Sequence, residues 1–447
     1  MSSTQSFGLN RVNKAIWLAL ASSSALMLTP AIGQETAETT KPAEEQVERI
    51  SVSGRLLSSA TAVAEERRQQ PYVAELLGMD QISRAGDSNA AAALRRVTGL
   101  TLVKDKFIYV RGLGERYSST LLNGAQVPSP DPTRNVVPMD MFPAGIIESM
   151  VVQKSYSPEL PAAFGGGNVN IRTVSIPREQ VFNISIGTGY NSLSSNDGLD
   201  YAGGGSDWRG QDDGKRSLSP EMQDALATYG SLDPVKIAQG LGGISADNLA
   251  KAETINRNLG LTMDRDLDVT NKSVGPEFDG SLSYGNRFEI GKRVFGVMAG
   301  VSYDQSSENS KEQERYYSIS SGTNLTPLNR YDDIFSTEHQ VKLSSMLNFG
   351  LEWDENHRIE TSSIYLQDTK DEVKRKIGDS IETINEASRE NEIYNILYEE
   401  RSMMTNQIRG RHSLTFLGDL TLDWQYTDAK AERNAPGEVE YLYVRTL

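Results

Sequence analysis

Beyond residue 180 the chain alternates apolar and polar side chains with a period of two, a pattern that only extended strands with one greasy face each can satisfy. The first run sets Phe182, Ile184, Ile186 and Tyr190 against Asn183, Ser185, Gly187 and Gly189. Phe278, Leu282, Tyr284 and Phe288 repeat it, as do Val341, Leu343, Leu347, Phe349, Leu351 and Trp353, then Leu420, Leu422, Trp424 and Tyr426, and finally Val439, Tyr441 and Tyr443. The connectors alternate too. Short ones fall at Glu289–Lys292, Asp354–His357 and Leu417–Asp419, whereas 191–276, 304–338, 369–400 and 429–438 read as long loops. Tight turns on one rim, long loops on the other and one apolar face per strand define a transmembrane antiparallel β-barrel. A mean hydropathy of -0.45 agrees, because the lumen and loops of a barrel are polar.

A barrel of this kind requires export, and residues 1–33 read as a cleaved signal peptide. Arg11 and Lys14 form the basic region, Ala15–Leu28 the apolar region, and Ala31-Ile32-Gly33 the small residues before cleavage. The apolar run falls short of the roughly 20 residues that a spanning helix needs. Its removal takes away two positive and no negative charges, moving the formal charge from -15 to -17. So acidic a chain, without a basic stripe, argues against nucleic acid as a partner. Cysteine is absent, which excludes thiol catalysis and cysteine-based metal sites.

Residues 34–46 are acidic, threonine-rich and aperiodic, reading as a disordered periplasmic tether. The strand-like Val47-Glu48-Arg49-Ile50-Ser51-Val52-Ser53-Gly54 follows. It fits either addition to the edge of another protein's sheet or an edge strand of the next segment. Residues 55–176 mix α and β. A short helix is predicted over Ala90–Val97, capped by Asp87 or Ser88. Strands are predicted at Leu100–Val103, Phe107–Arg111, Thr120–Leu122, Ile147–Gln153 and Asn168–Thr173. Asn123-Gly124 suits a tight hairpin, since both residues tolerate positive φ.

In order and spacing these parts resemble the TonB-dependent outer-membrane receptors. The resemblance rests on the signal peptide, Glu48–Gly54 as a TonB-box-like strand, Ile108-Tyr109-Val110-Arg111-Gly112, Leu121-Leu122-Asn123-Gly124, Ile147–Val152 and Ala163–Thr173, followed by barrel strands. It implies an N-terminal α+β plug domain, 55–176, inside a barrel of about 22 strands, of which 177–447 supplies only about eight. It further implies a ligand-gated transporter in the bacterial outer membrane, energised by TonB with ExbB and ExbD, with outer-membrane lipid and lipopolysaccharide around it. Val47, Glu48, Arg49, Ile50, Ser51, Val52 and Ser53 would bind TonB. The plug apices would offer Glu115, Arg116, Tyr117, Asp131 and Arg134 to a scarce nutrient, and Arg111 would anchor the plug. The sequence departs from the family's Arg-Gly-Pro at Gln153-Lys154-Ser155. That departure leans toward a non-siderophore nutrient such as an oligosaccharide, with a ferric siderophore close behind.

Other classes fit less well. No catalytic motif, cofactor site or catalytic residue is found, so an enzyme is not expected. A receptor, adhesin or passive porin without energised transport is the alternative. Asp197, Asp200, Asp207, Asp212 and Asp213 offer the carboxylate oxygens that calcium takes but lack the spacing of an EF-hand, so they read as a solvated acidic loop, with a calcium site as the alternative, and no metal residue is assigned. Only His339, His357 and His412 occur, giving haem ligation little support. An eight-stranded barrel fills itself with its own side chains and cannot enclose a plug of this size. At the spacing seen here 22 strands need about 730 residues, so the sequence reads as an N-terminal half that should neither close nor transport alone.

Overall fold

The computed structural model describes residues 65–68, 72–104, 106–131, 136–158, 160, 164–190, 192, 197–263, 268–319, 325–380, 389–414 and 420–446. The expected signal peptide, tether and TonB-box-like strand lie outside them. No described helix is long and apolar enough to cross a membrane, which says nothing of strands.

The N-terminal part is built on a five-stranded sheet ordered β1-β6-β7-β4-β5. These strands are β1 (Ala74–Gly78), β4 (Ser118–Leu122), β5 (Ala125–Gln126), β6 (Ile147–Gln153) and β7 (Gly167–Thr173). A separate hairpin pairs β2 (Leu100–Val103) with β3 (Phe107–Val110). The predicted hairpin turn is present: Asn123 and Gly124 have φ of 53° and 88° between β4 and β5. The short helix is corrected in both its cap and its end. It is α2, spanning Ala90–Leu94 after α1 (Met79–Ala85), and Asn89 caps it by accepting from the Ala92 N–H at 2.9 Å. Asp87 instead turns its carboxylate to Arg96.

The second part is one antiparallel sheet of β8 (Val181–Gly189), β11 (Glu277–Ile290), β12 (Arg293–Ile319), β13 (Leu325–Asp354), β14 (His357–Asp379), β15 (Arg389–Leu414), β16 (Leu420–Asn434) and β17 (Val439–Thr446). β16 pairs the second half of β15 and β17 its first half, on the same edge. The eighth expected strand therefore prolongs the seventh past a break at 435–438. The stretches 304–338, 369–400 and 429–438, expected as loops, are also mostly strand. Only about ten residues of each strand cross lipid. Beyond it the strand needs no apolar face, so alternation fades while main-chain pairing continues. Cross-strand pairs such as Arg330–Asp379 at 2.9 Å and Lys370–Glu338 at 2.7 Å take over.

Directly paired residues share a face, and here the apolar set shares the outer one. Phe182, Ile186 and Tyr426 are 62%, 76% and 66% exposed, an inversion that a lipid environment resolves. Aromatic residues mark both rims. Phe288, Phe295 and Phe349 stack in series at 6.3 and 6.2 Å near the short turns, where Arg293 also lies 3.5 Å over the Trp353 ring. Phe278 and Tyr303 meet at 6.2 Å near the other rim. Such girdles flank the apolar band of outer-membrane barrels.

The inner face belongs to the N-terminal part. Met298, Met346, Ile364, Leu366 and Met403 point inward and join one buried cluster with Phe142, Met150 and Ile171. The link between the two parts lies in a groove of wall glycines. A Cβ on Gly296 would stand 2.7 Å from the Ile176 Cα, and one on Gly350 would overlap the same side chain. Gly296→Ala is therefore expected to cost about 1–3 kcal/mol by overpacking. Gly300→Ala, whose new Cβ would meet only the Leu282 carbonyl at 3.9 Å, should be neutral. Thermal unfolding of the detergent-extracted protein distinguishes the two.

Candidate functional site

The seam between the N-terminal sheet and the strand wall is organised in three tiers. The middle tier is neutral. The left-handed turn at Asn123 presents its carboxamide to the wall, where Nδ2 donates to Gln407 Oε1 at 2.8 Å and to Thr173 Oγ1 at 3.1 Å. Its Oδ1 accepts from the Thr173 N–H at 2.8 Å, and Gln407 Nε2 donates to the Leu122 carbonyl at 2.8 Å. Asn348 Nδ2 donates to the Val174 carbonyl at 2.6 Å. Buried amides so paired fix register without burying net charge.

Toward the long-strand end the seam is ionic. Asp140 lies 3.5 Å from Lys106 and 3.3 Å from Lys342 of β13, while Lys106 is 3.9 Å from Asp368 of β14. Two ammonium groups thus face two carboxylates across the seam, and Gln340 Nε2 donates to Asp368 at 2.6 Å. Beyond them the inner wall carries charges of both signs, with Lys370 between Glu338 and Glu372 at 2.7 and 3.0 Å, and Arg433 on Glu399 at 2.6 Å. At the short-turn end a cavity of about 980 Å³ separates sheet from wall, lined by Glu148, Arg172, Arg358, Glu360, Arg409 and Asp423 among others. Glu66, just before the first described strand, reaches Arg172 there at 2.5 Å.

The residues singled out from sequence fall variously. Val47–Ser53 and Arg134 lie outside the described residues. Glu115 begins a single 3-10 turn, Glu115–Tyr117. Arg116 is exposed, 5.9 Å over the ring of Tyr117, which is itself 47% exposed. Asp131 is buried at a turn where the Ser129 hydroxyl accepts from its N–H at 3.0 Å. Arg111 has a φ of 53° and is exposed, and no ion pair joins it to the wall among the described residues; Lys106 and Asp140 make that connection. No local motif marked either. The departure at Lys154 has an internal explanation, because its ammonium is buried on Glu75 at 2.5 Å and on the Thr98 carbonyl.

The acidic loop is not simply solvated. It carries a ribbon of β9 (Asp197–Asp200) and β10 (Thr270–Ser273) and three helices, α3 (Pro220–Tyr229), α4 (Pro234–Gly240) and α5 (Ala246–Gly260). Asp200, Asp207, Asp212 and Asp213 have cationic or main-chain partners. Buried Arg216 binds Asp207 at 2.6 Å, Asp212 at 3.1 Å and Asp371 of β14 at 3.2 Å, and stacks 4.0 Å from the Tyr398 ring centre. Asp213 accepts from the main-chain N–H groups of Gly205 and Lys215. Burial beneath the loop pushes the Asp371 carboxyl up to about 7, against the pull of Arg216.

With this geometry in hand, comparison with known proteins is specific at one place. Residues 66–170 match the family described as TonB-dependent Receptor Plug Domain. Among curated proteins none matches the sequence. Solved structures with a similar course include the siderophore receptor PirA from Pseudomonas aeruginosa (10% identity, 82% of this chain, 58% of that chain, TM-score 0.29). The closed form of the ferric-catecholate import receptor Fiu from E. coli K12 (11%, 81%, 47%, 0.41) and the outer membrane transporter YddB from Escherichia coli (9%, 83%, 56%, 0.30) are others. The chain thus spans between 47% and 58% of the length of these three.

Two measurements bear on the seam and the loop. Asp140→Asn leaves Lys106 and Lys342 short of a buried counter-charge and should weaken plug docking by about 3 kcal/mol, read as a lower urea midpoint for protection of residues 72–160 from protease. For Asp371, the folded carboxyl titrates near 7 against an ordinary 3.8, so the folded state binds the extra proton between those values and stability falls as pH rises through that window. Protease should cut the 197–216 loop faster at pH 8 than at pH 5, and Asp371→Asn should flatten the difference.

Proposed function

Residues 66–170 being a TonB-dependent receptor plug domain, we propose that the protein is a ligand-gated outer-membrane transporter worked from the periplasmic side. The observation that carries this reading is a plug hydrogen-bonded and ion-paired to the polar inner face of strands whose outer face is apolar. Such a plug blocks the passage, and solute crosses only when the plug moves. The seam suits repeated release, since its apolar contacts on the wall are largely Met298, Met346 and Met403, side chains that repack at low cost.

Work for that motion has to arrive mechanically. The strand 47–54 is the handle in this reading: Ile50 and Val52 seat on the sheet edge of TonB, driven by ExbB and ExbD, while 34–46 supplies reach. Pull is delivered next to Glu66, hence to the Glu66–Arg172 pair and the charged cavity beside it. Arg116 and Tyr117 remain the proposed ligand contacts of the plug, together with Glu115 of the same turn, Asp131 and Arg134, and the anchoring first expected of Arg111 is assigned instead to Lys106 and Asp140. The cargo is proposed to be a polar nutrient, because the inner wall above the plug carries alternating lysine, arginine and carboxylate groups. Lys154 no longer separates oligosaccharide from siderophore, as it is occupied inside the plug.

Val52→Pro removes a main-chain donor from the handle. Energised uptake of the nutrient should be lost while its binding to whole cells is unchanged. Uptake that survives this substitution, or deletion of 47–54, would assign the protein to the passive porins instead.

A further inference from the structure

The long connector after β8 does not rise into the lumen; it folds back over the outside of the wall. Every wall residue that holds it belongs to the outer face, in phase with Leu347, Phe349 and Ile359. Thr337 Oγ1 accepts from the Leu199 N–H at 2.8 Å, Thr369 Oγ1 donates to the Gly210 carbonyl at 2.7 Å, and Asp371 binds Arg216. The Tyr303 hydroxyl donates to the Trp208 carbonyl at 2.5 Å. Register fixes the height of this contact. Tyr303 and Gln367, which also donates to the Gly210 carbonyl, each stand ten residues beyond the first residue of their strands, Arg293 and His357. A lipid-crossing strand takes about 9–11 residues, so the contact sits where the lipid band ends.

At that level the outer face already shows Tyr190, 68% exposed, and the Phe278–Tyr303 pair. Trp208 adds an indole 66% exposed, followed by exposed Arg209. We infer that the Asp207–Arg209 turn is a membrane-interface anchor, with Trp208 seated in the outer leaflet and Arg209 among its phosphate-bearing headgroups. The occupant is lipid because the turn docks on Tyr303, an outer-face residue paired with Phe278 at the end of the apolar band, and indole with guanidinium is the pairing that interfacial regions favour. The anchor would hold the loop domain against the outside of the wall, leaving the lumen above the plug open to ligand. Docking of the turn itself relies on a main-chain carbonyl, so replacing the Trp208 side chain leaves that bond in place.

The absence of cysteine permits a direct test with the protein in outer-membrane vesicles. Single variants Trp208→Cys, Leu422→Cys on the lipid face and Lys251→Cys on the exposed side of α5 carry an environment-sensitive fluorophore, and lipids spin-labelled at the headgroup or along the acyl chain act as quenchers. Position 208 should be quenched by the headgroup label as strongly as 422 is by the acyl-chain label, with 251 unquenched. Quenching at 208 no greater than at 251 overturns the inference. So does quenching that depends on protein density and not on spin-labelled lipid, which would make the patch a contact between copies. Arg209→Cys, one residue along, gives a second reading should the first variant fail to assemble.

Discussion

A β-sheet that crosses lipid has to pair all its main-chain polar groups along the sheet while its two faces meet different solvents, and the rest of this structure follows from that demand. Hydrogen bonding is settled by the ladders between β8 and β16, leaving side chains free to separate the environments. Outward positions are apolar and ringed by aromatics. Inward positions are polar except where the plug docks, and there methionines predominate. Once the strands leave the lipid the same ladders continue on ion pairs, which explains strands of 23 to 30 residues where about ten would cross.

The plug is held by interactions graded in kind. Neutral amides at mid-depth, Asn123 with Gln407 and Asn348 with the Val174 carbonyl, set position. Paired charges at Lys106, Asp140, Lys342 and Asp368 add a lock whose desolvation cost offsets much of its Coulomb gain. A seam built from such terms is specific without being deep in energy. The Ile176 groove is different in kind: Gly296 and Gly350 leave no slack beside it, so the link between plug and wall is tightly fixed there.

Legibility in sequence followed the range of the interaction. The Asn123-Gly124 hairpin was readable because two adjacent residues that tolerate positive φ specify it. The helix cap was not legible to the residue, because Asp, Ser and Asn can all accept from a free first turn; in the structure Asn89, one or two residues beyond Ser88 or Asp87, takes the Ala92 N–H and Asp87 pairs with Arg96. The outer strand extensions carry no strand signal in sequence because polar side chains on both faces erase the period of two. The acids of the first long loop gave no hint that Arg216 would gather Asp207, Asp212 and the distant Asp371.

By itself, then, the sequence determined which face of each strand meets lipid, the tight turns at Glu289–Lys292 and Asp354–His357, and that a plug precedes the wall, since period, turn chemistry and order are properties of neighbouring residues; the short connector expected at Leu417–Asp419 lies outside the described residues. The tertiary structure alone decided what touches what across the seam. Asn123 and Gln407 lie 284 positions apart, and their meeting depends on the stagger of every intervening ladder, which no local pattern encodes. The same stagger sets Trp208 beside Tyr303 and Arg216 beside Asp371, turning an acidic connector into a structured cover on the outside of the wall.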